Sequence, residues 1–151
     1  MNPKSIRLAI DSRIENICLV GMAVNKICSI ATLTQVERYQ IELCLVEAVT
    51  NAIVHAYDRR EDQQVEVEIE IHPRRIILRV SDYGRAMTRL DPPRLDFDPD
   101  DHTSLPEGGM GLFIINSVMS ESSYCSEAGR NTLELVKYLP GHMFDRRSSV
   151  S

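Results

Sequence analysis

Apolar positions along the 151-residue chain follow two spacings. Ile6, Leu8 and Ile10 alternate with polar neighbours from Ser5 onward, the pattern of a short edge strand. Ile14, Ile17, Cys18, Gly21, Val24 and Cys28 then mark one stripe of a helix, with Asp11 and Ser12 as candidate N-caps. After a break at Ala31-Thr32-Leu33-Thr34, Thr34 and Glu37 stand at capping-box spacing and open a second helix over about Gln35 to Tyr57. Its second half, Cys44 to Ala56, is apolar almost all round, so burial on most sides is expected.

Gln64 to Ile71 alternates strictly. Val65, Val67, Ile69 and Ile71 oppose Gln64, Glu66, Glu68 and Glu70, which predicts a strand with one wet face. A turn at His72-Pro73-Arg74-Arg75 joins it to Ile76–Val80 as a hairpin. Periodicity stops between Arg85 and Glu107, where four of the seven prolines gather with Asp91, Asp96, Asp98, Asp100 and Asp101. A loop of that length is expected to be a functional lid or a disordered segment. Gly108-Gly109-Met110-Gly111 opens a helix through about Met119, and Tyr124–Glu127 with Thr132–Leu139 forms a last hairpin around Gly129-Arg130-Asn131. The order β-α-α-β-β-lid-α-β-β predicts an α+β two-layer sandwich, helices covering one face of a mostly antiparallel sheet. One domain over residues 1–140 and a flexible tail over 141–151 are expected.

Composition removes several functions. Lys+Arg 17 against Asp+Glu 22 leaves a net charge of −5, the wrong sign for gripping nucleic acid through bulk charge. Aromatics are 5% with no tryptophan, which argues against base-stacking platforms. The longest apolar run, Ile17 to Val24, is far too short for a membrane span, and the N-terminus has no secretory apolar core. The four cysteines form no Cys-x-x-Cys pair. Cys18, Cys28 and Cys44, inside helical apolar patterns, are expected to be reduced core residues. A cytoplasmic protein without membrane or direct nucleic-acid contact is the expectation.

Three segments break local rules, as sites tend to do. Glu47, Asn51 and His55 are spaced i, i+4, i+8 and share one face of a helix amid apolar residues. A buried carboxylate and amide need partners, and a hard divalent cation with a water or hydroxyl satisfies both; an internal hydrogen-bonded network that fixes packing is the alternative. His55, two turns beyond Glu47, is assigned to packing. Asp82 and Gly84 end a strand, where an acid can accept from an exocyclic amine and a glycine lets backbone approach a flat ring. An ordinary Asp-x-Gly turn has the same letters. Gly108, Gly109 and Gly111 stand at the mouth of a helix, where free N–H groups suit phosphate oxygens, or serve as a hinge for the preceding loop.

Taken in order, Glu-x-x-x-Asn on a helix, Asp-x-Gly after a strand, a long loop and Gly-x-Gly before a helix resembles the GHKL ATPase superfamily of gyrase, histidine-kinase and MutL ATP-binding folds. Within it, the stretches Glu47–Tyr57, Glu107–Phe113 and Gly129–Lys137 look like the anti-sigma-factor serine kinases (RsbW-like), over roughly residues 5 to 139. The resemblance implies a Bergerat-type, histidine-kinase-like ATP-binding fold with ATP and Mg²⁺ as cofactors. By matching position it implies Glu47 as general base and Asn51 as Mg²⁺ ligand. Asp82 would take the adenine amino group, with Gly84 and Met87 lining the base. Gly108, Gly109, Met110, Gly111, Leu112 and Phe113 fall in the phosphate-binding stretch. Thr132 would contact adenine through water, although Asn131 is the closer match to this subfamily. Ala86 stands where the superfamily often has a second glycine, two positions after the first.

The implied activity is Mg-ATP-dependent phosphorylation of a serine or threonine on a small STAS-type antagonist, alternating with a sigma factor or other output protein; the family often forms homodimers. Three other outcomes share these residues: a module that binds nucleotide and partner without transfer, the detached ATP domain of a histidine kinase, and a simple ATPase.

Overall fold

The computed structural model of the chain describes residues 2–87 and 110–139. The expected lid beyond Met87 and the expected tail lie outside the described residues. Element order is β1 (Lys4–Asp11), α1 (Glu15–Cys28), α2 (Gln35–Asn51), β2 (Gln64–Ile71), β3 (Arg75–Asp82), α3 (Met110–Val118), β4 (Glu121–Glu127) and β5 (Arg130–Tyr138). The five strands form one antiparallel sheet in the order β1-β2-β3-β5-β4. The α+β sandwich and the edge position of β1 agree with the pattern of apolar positions.

Alternation sorts the two faces of the sheet. Val65, Val67, Ile69, Ile71, Ile76, Leu78, Val80, Leu133 and Leu135 are buried in one cluster with Val20 and Val24 of α1, Ile41, Leu45 and Val49 of α2, and Ile115 of α3. Each fully buried Leu or Ile in that layer contributes about 2 kcal/mol. The other face carries charge. Arg7, Glu68, Arg79 and Glu134 fall on one row across β1, β2, β3 and β5. Arg79 bonds Glu68, Glu70 and Glu134, while Arg7 bonds Glu68 at 2.8 Å. Among the described residues no helix is long and apolar enough to cross a membrane.

Thr34 caps α2 as its spacing predicts, accepting from the Glu37 amide at 3.1 Å. Asp11 and Ser12 do not cap α1, whose first turn has no side-chain cap. Ser12 is instead a tertiary pin: its hydroxyl donates to the Arg60 carbonyl and accepts from the Gln63 amide. The buried stripe of α1 is Ile17, Val20, Gly21, Val24 and Cys28. Cys18 is exposed, because it lies about 100° round the helix from Ile17. Cys28 and Cys44 are buried thiols, pushed up by that burial to about 11 and about 12 respectively, so both stay protonated and inert.

Candidate functional site

The second helix changes pitch where the candidate residues end. After Asn51, residues Ala52–Ala56 form a π-helical turn, closed by the Tyr57 amide donating to the Ala52 carbonyl at 3.0 Å. His55 is exposed, not a packing residue. Glu47 and Asn51 are half-buried rather than buried. Ile41, Cys44, Leu45, Ala48 and Val49 take the core-facing positions of α2 and leave these two at its rim. No bond engages either side chain among the described residues.

The π turn supports the end of β3. Tyr57, fully buried, donates through its hydroxyl to the Gln64 carbonyl at 2.5 Å and accepts the Tyr83 amide at 2.8 Å. The Arg85 amide donates to the Ala56 carbonyl at 2.9 Å. Between these bonds sits Gly84, where backbone packs on backbone. Asp82 is 8% exposed and accepts at Oδ1 from the Gly84 amide (3.0 Å) and from Asn131 Nδ2 (2.7 Å). Burial pushes its carboxyl above the usual aspartate value, while those two bonds pull it back. Met87 is tied to β4 through its amide, which donates to Tyr124 Oη at 2.8 Å.

A recess results, lined by Asn51, Ala52, Ala56, Val80, Asp82, Met87, Tyr124 and Leu133. It therefore brings Asn51, Asp82 and Met87 together, with Gly84 beside them and Glu47 one turn back along α2. The recess is small, about 20 Å³, room for one water. Thr132 is not brought to it. Its hydroxyl bonds Ser81 at 2.9 Å on the opposite, open face, because side chains alternate along β5 and the core-facing place belongs to Asn131. Alternation separates the two, because Asn131 is in phase with the core-facing Leu133 and Leu135 while Thr132 is not, but the expected turn Gly129-Arg130-Asn131 left Asn131 outside the strand and only the subfamily match pointed to it. Gly108 and Gly109 lie outside the described residues, while Met110, Gly111, Leu112 and Phe113 begin α3. A larger concavity of about 1040 Å³ lies on the open face, lined by Arg7, Glu66, Glu68, Arg79, Arg130 and Thr132 among others. Its size does not make it the nucleotide site: apart from Thr132 it holds none of the candidate residues.

The fold and this recess define a class, the α+β sandwich ATPase domain. The family model described as the histidine kinase-like ATPase domain matches residues 10–137, and the chain belongs to that family. The serine-protein kinase RsbW of Bacillus velezensis is 28% identical over 149 residues, covering 96% of this chain and 92% of the relative. Its namesake in Bacillus subtilis is 26% identical over 153 residues, covering 99% and 94%. The one from Staphylococcus aureus is 28% identical over 142 residues, covering 89% and 86%.

Proposed function

We propose that this chain is an Mg-ATP-dependent serine/threonine protein kinase of the anti-sigma type, phosphorylating a STAS-type antagonist and releasing or holding a sigma factor accordingly. The observation that carries the reading is the shared recess: Asn51 and Asp82 face one space, and Glu47 stands a single helical turn from Asn51. The similarity to serine-protein kinases adds the reaction class.

The donor set fits the cofactor. Magnesium takes few protein ligands and completes its shell with phosphate oxygens and water. Asn51 offers one neutral, unengaged amide oxygen, and no cluster of three or more His, Cys, Asp or Glu competes for a metal among the described residues. When bound, magnesium neutralises the charge that develops on the transferred phosphoryl group. Asp82 accepts the adenine amine on the carboxylate oxygen that its internal bonds leave free. The base lies against Gly84 and Met87, whose amide is held by Tyr124 Oη. Glu47 receives the proton of the incoming serine or threonine hydroxyl. The phosphate then adds close to two negative charges to the antagonist, which is the change that switches partners.

Glu47→Gln is the test, in a transfer assay with a STAS-type acceptor and labelled ATP. Transfer should drop at least about 100-fold while ATP affinity holds within a few-fold. Undiminished transfer removes Glu47 as base. Phosphate release without any acceptor, or nucleotide binding without transfer in the unmutated chain, replaces the kinase with an ATPase or a sequestering module.

A further inference from the structure

Ser126, Asn131 and Asp82 lie on one register row across β4, β5 and β3. Their side chains form a relay. Ser126 Oγ donates to Asn131 Oδ1 at 2.7 Å, and Asn131 Nδ2 donates to Asp82 Oδ1 at 2.7 Å and to the Gly84 carbonyl at 2.9 Å. The amide can stand only this way round, since a flipped Asn131 would set its oxygen against two acceptors. Asn131 is 2% exposed, so water offers no substitute. Both internal donors, Asn131 Nδ2 and the Gly84 amide, converge on Oδ1 of Asp82, and no bond engages Oδ2 among the described residues.

We propose that Ser126 and Asn131 are specificity-determining positioning residues, holding Asp82 as a pure acceptor so that its free oxygen selects adenine over guanine nucleotides. The inference rests on the Asp82 recess being the nucleotide site. An adenine amine donates to that oxygen, whereas guanine in the same pose presents its O6 carbonyl, acceptor against acceptor. Without Asn131 the carboxyl loses a charge-assisted bond and its fixed rotamer, and burial favours the acid form, which donates to O6 as readily as it accepts from an amine.

Calorimetric titration of the full chain with magnesium ATP and, separately, magnesium GTP tests this. The unmutated protein should prefer ATP. Asn131→Leu should weaken ATP about tenfold or more with GTP changed by less than about twofold, and Asn131→Thr, which keeps a donor, should retain most of the preference. Ser126→Ala, at an exposed edge position, should move the ATP/GTP ratio the same way by a smaller factor, and it decides the matter where Asn131→Leu fails to fold. ATP and GTP weakening in parallel, or a ratio that neither variant moves, overturns the relay while leaving the nucleotide site intact. An unmutated chain that binds neither nucleotide overturns the site itself.

Discussion

At Gly84 a methyl group would have to share the space of a carbonyl. A Cβ built there lies 2.2 Å from the Ala56 oxygen, 2.6 Å from the Ala56 carbon and 2.9 Å from Tyr57 Cδ1. Backbone atoms cannot turn away as a flexible side-chain tip can. Gly84→Ala must therefore lift the Asp82–Met87 stretch off the π turn and break the Arg85-to-Ala56 bond. The expected cost is about 2–3 kcal/mol in urea unfolding, with ATP binding lost at concentrations that saturate the unmutated chain. An unchanged unfolding midpoint would show that the close approach is not required. Two positions on, Ala86 is exposed, so a methyl there meets no such wall. That contrast explains how the chain tolerates its departure from the superfamily's second glycine but keeps the first.

The elements differ in how plainly the chain announces them. Strand β2 was legible residue for residue, because one dry and one wet face impose strict alternation on Gln64–Ile71. Strand β4 was legible only from Tyr124 onward. Glu121-Ser-Ser-Tyr-Cys-Ser-Glu has almost no buried side, so pairing with β5 creates this strand rather than its own pattern. The β4–β5 turn is tighter than the sequence suggested. Ala128 and Gly129, both at positive φ (53° and 78°), make a two-residue connection that leaves Arg130 and Asn131 in β5. The candidate site was legible as a set of motifs, since Glu47, Asn51, Asp82 and Gly84 each break a local rule. Its support was not, because a π turn has no compositional signature and Tyr57 looks like any aromatic at a helix end. The hydroxyl of Tyr57 nevertheless bridges the Gln64 carbonyl and the Tyr83 amide. Tyr57→Phe keeps the packing and orphans both groups, so stability should fall by about 2 kcal/mol in chemical denaturation. A loss below about 0.5 kcal/mol would mean that the bridge is dispensable.

Among the described residues, two carboxylates are shifted in opposite senses, and they stand on the two faces of one sheet, Glu68 in the Arg79 cluster and Asp82 in the recess proposed to read the nucleotide. Burial alone would raise the Glu68 carboxyl, but the bonds from Arg79 and Arg7 outweigh it and hold the group below the usual glutamate value. A depressed value in the folded state means stability that is present above the unfolded value, about 4.3, and lost as pH falls through the folded one. Asp82 is raised, so its ionisation works against folding: that penalty is absent below the unfolded value and grows as pH climbs through the raised one. Glu68→Gln should accordingly cost about 1 kcal/mol at pH 7, a figure already discounted for the open face on which the cluster lies, and the gap to the unmutated chain should be smaller at pH 3. Urea midpoints for both proteins at the two pH values provide the check, and a gap that stays constant would remove the Arg79 cluster as its source. The ATP/GTP ratio of the same variant should not move, because the Ser126–Asn131–Asp82 row faces the helices while Glu68 faces away from them. A shift in that ratio would instead tie the open face of the sheet to nucleotide choice.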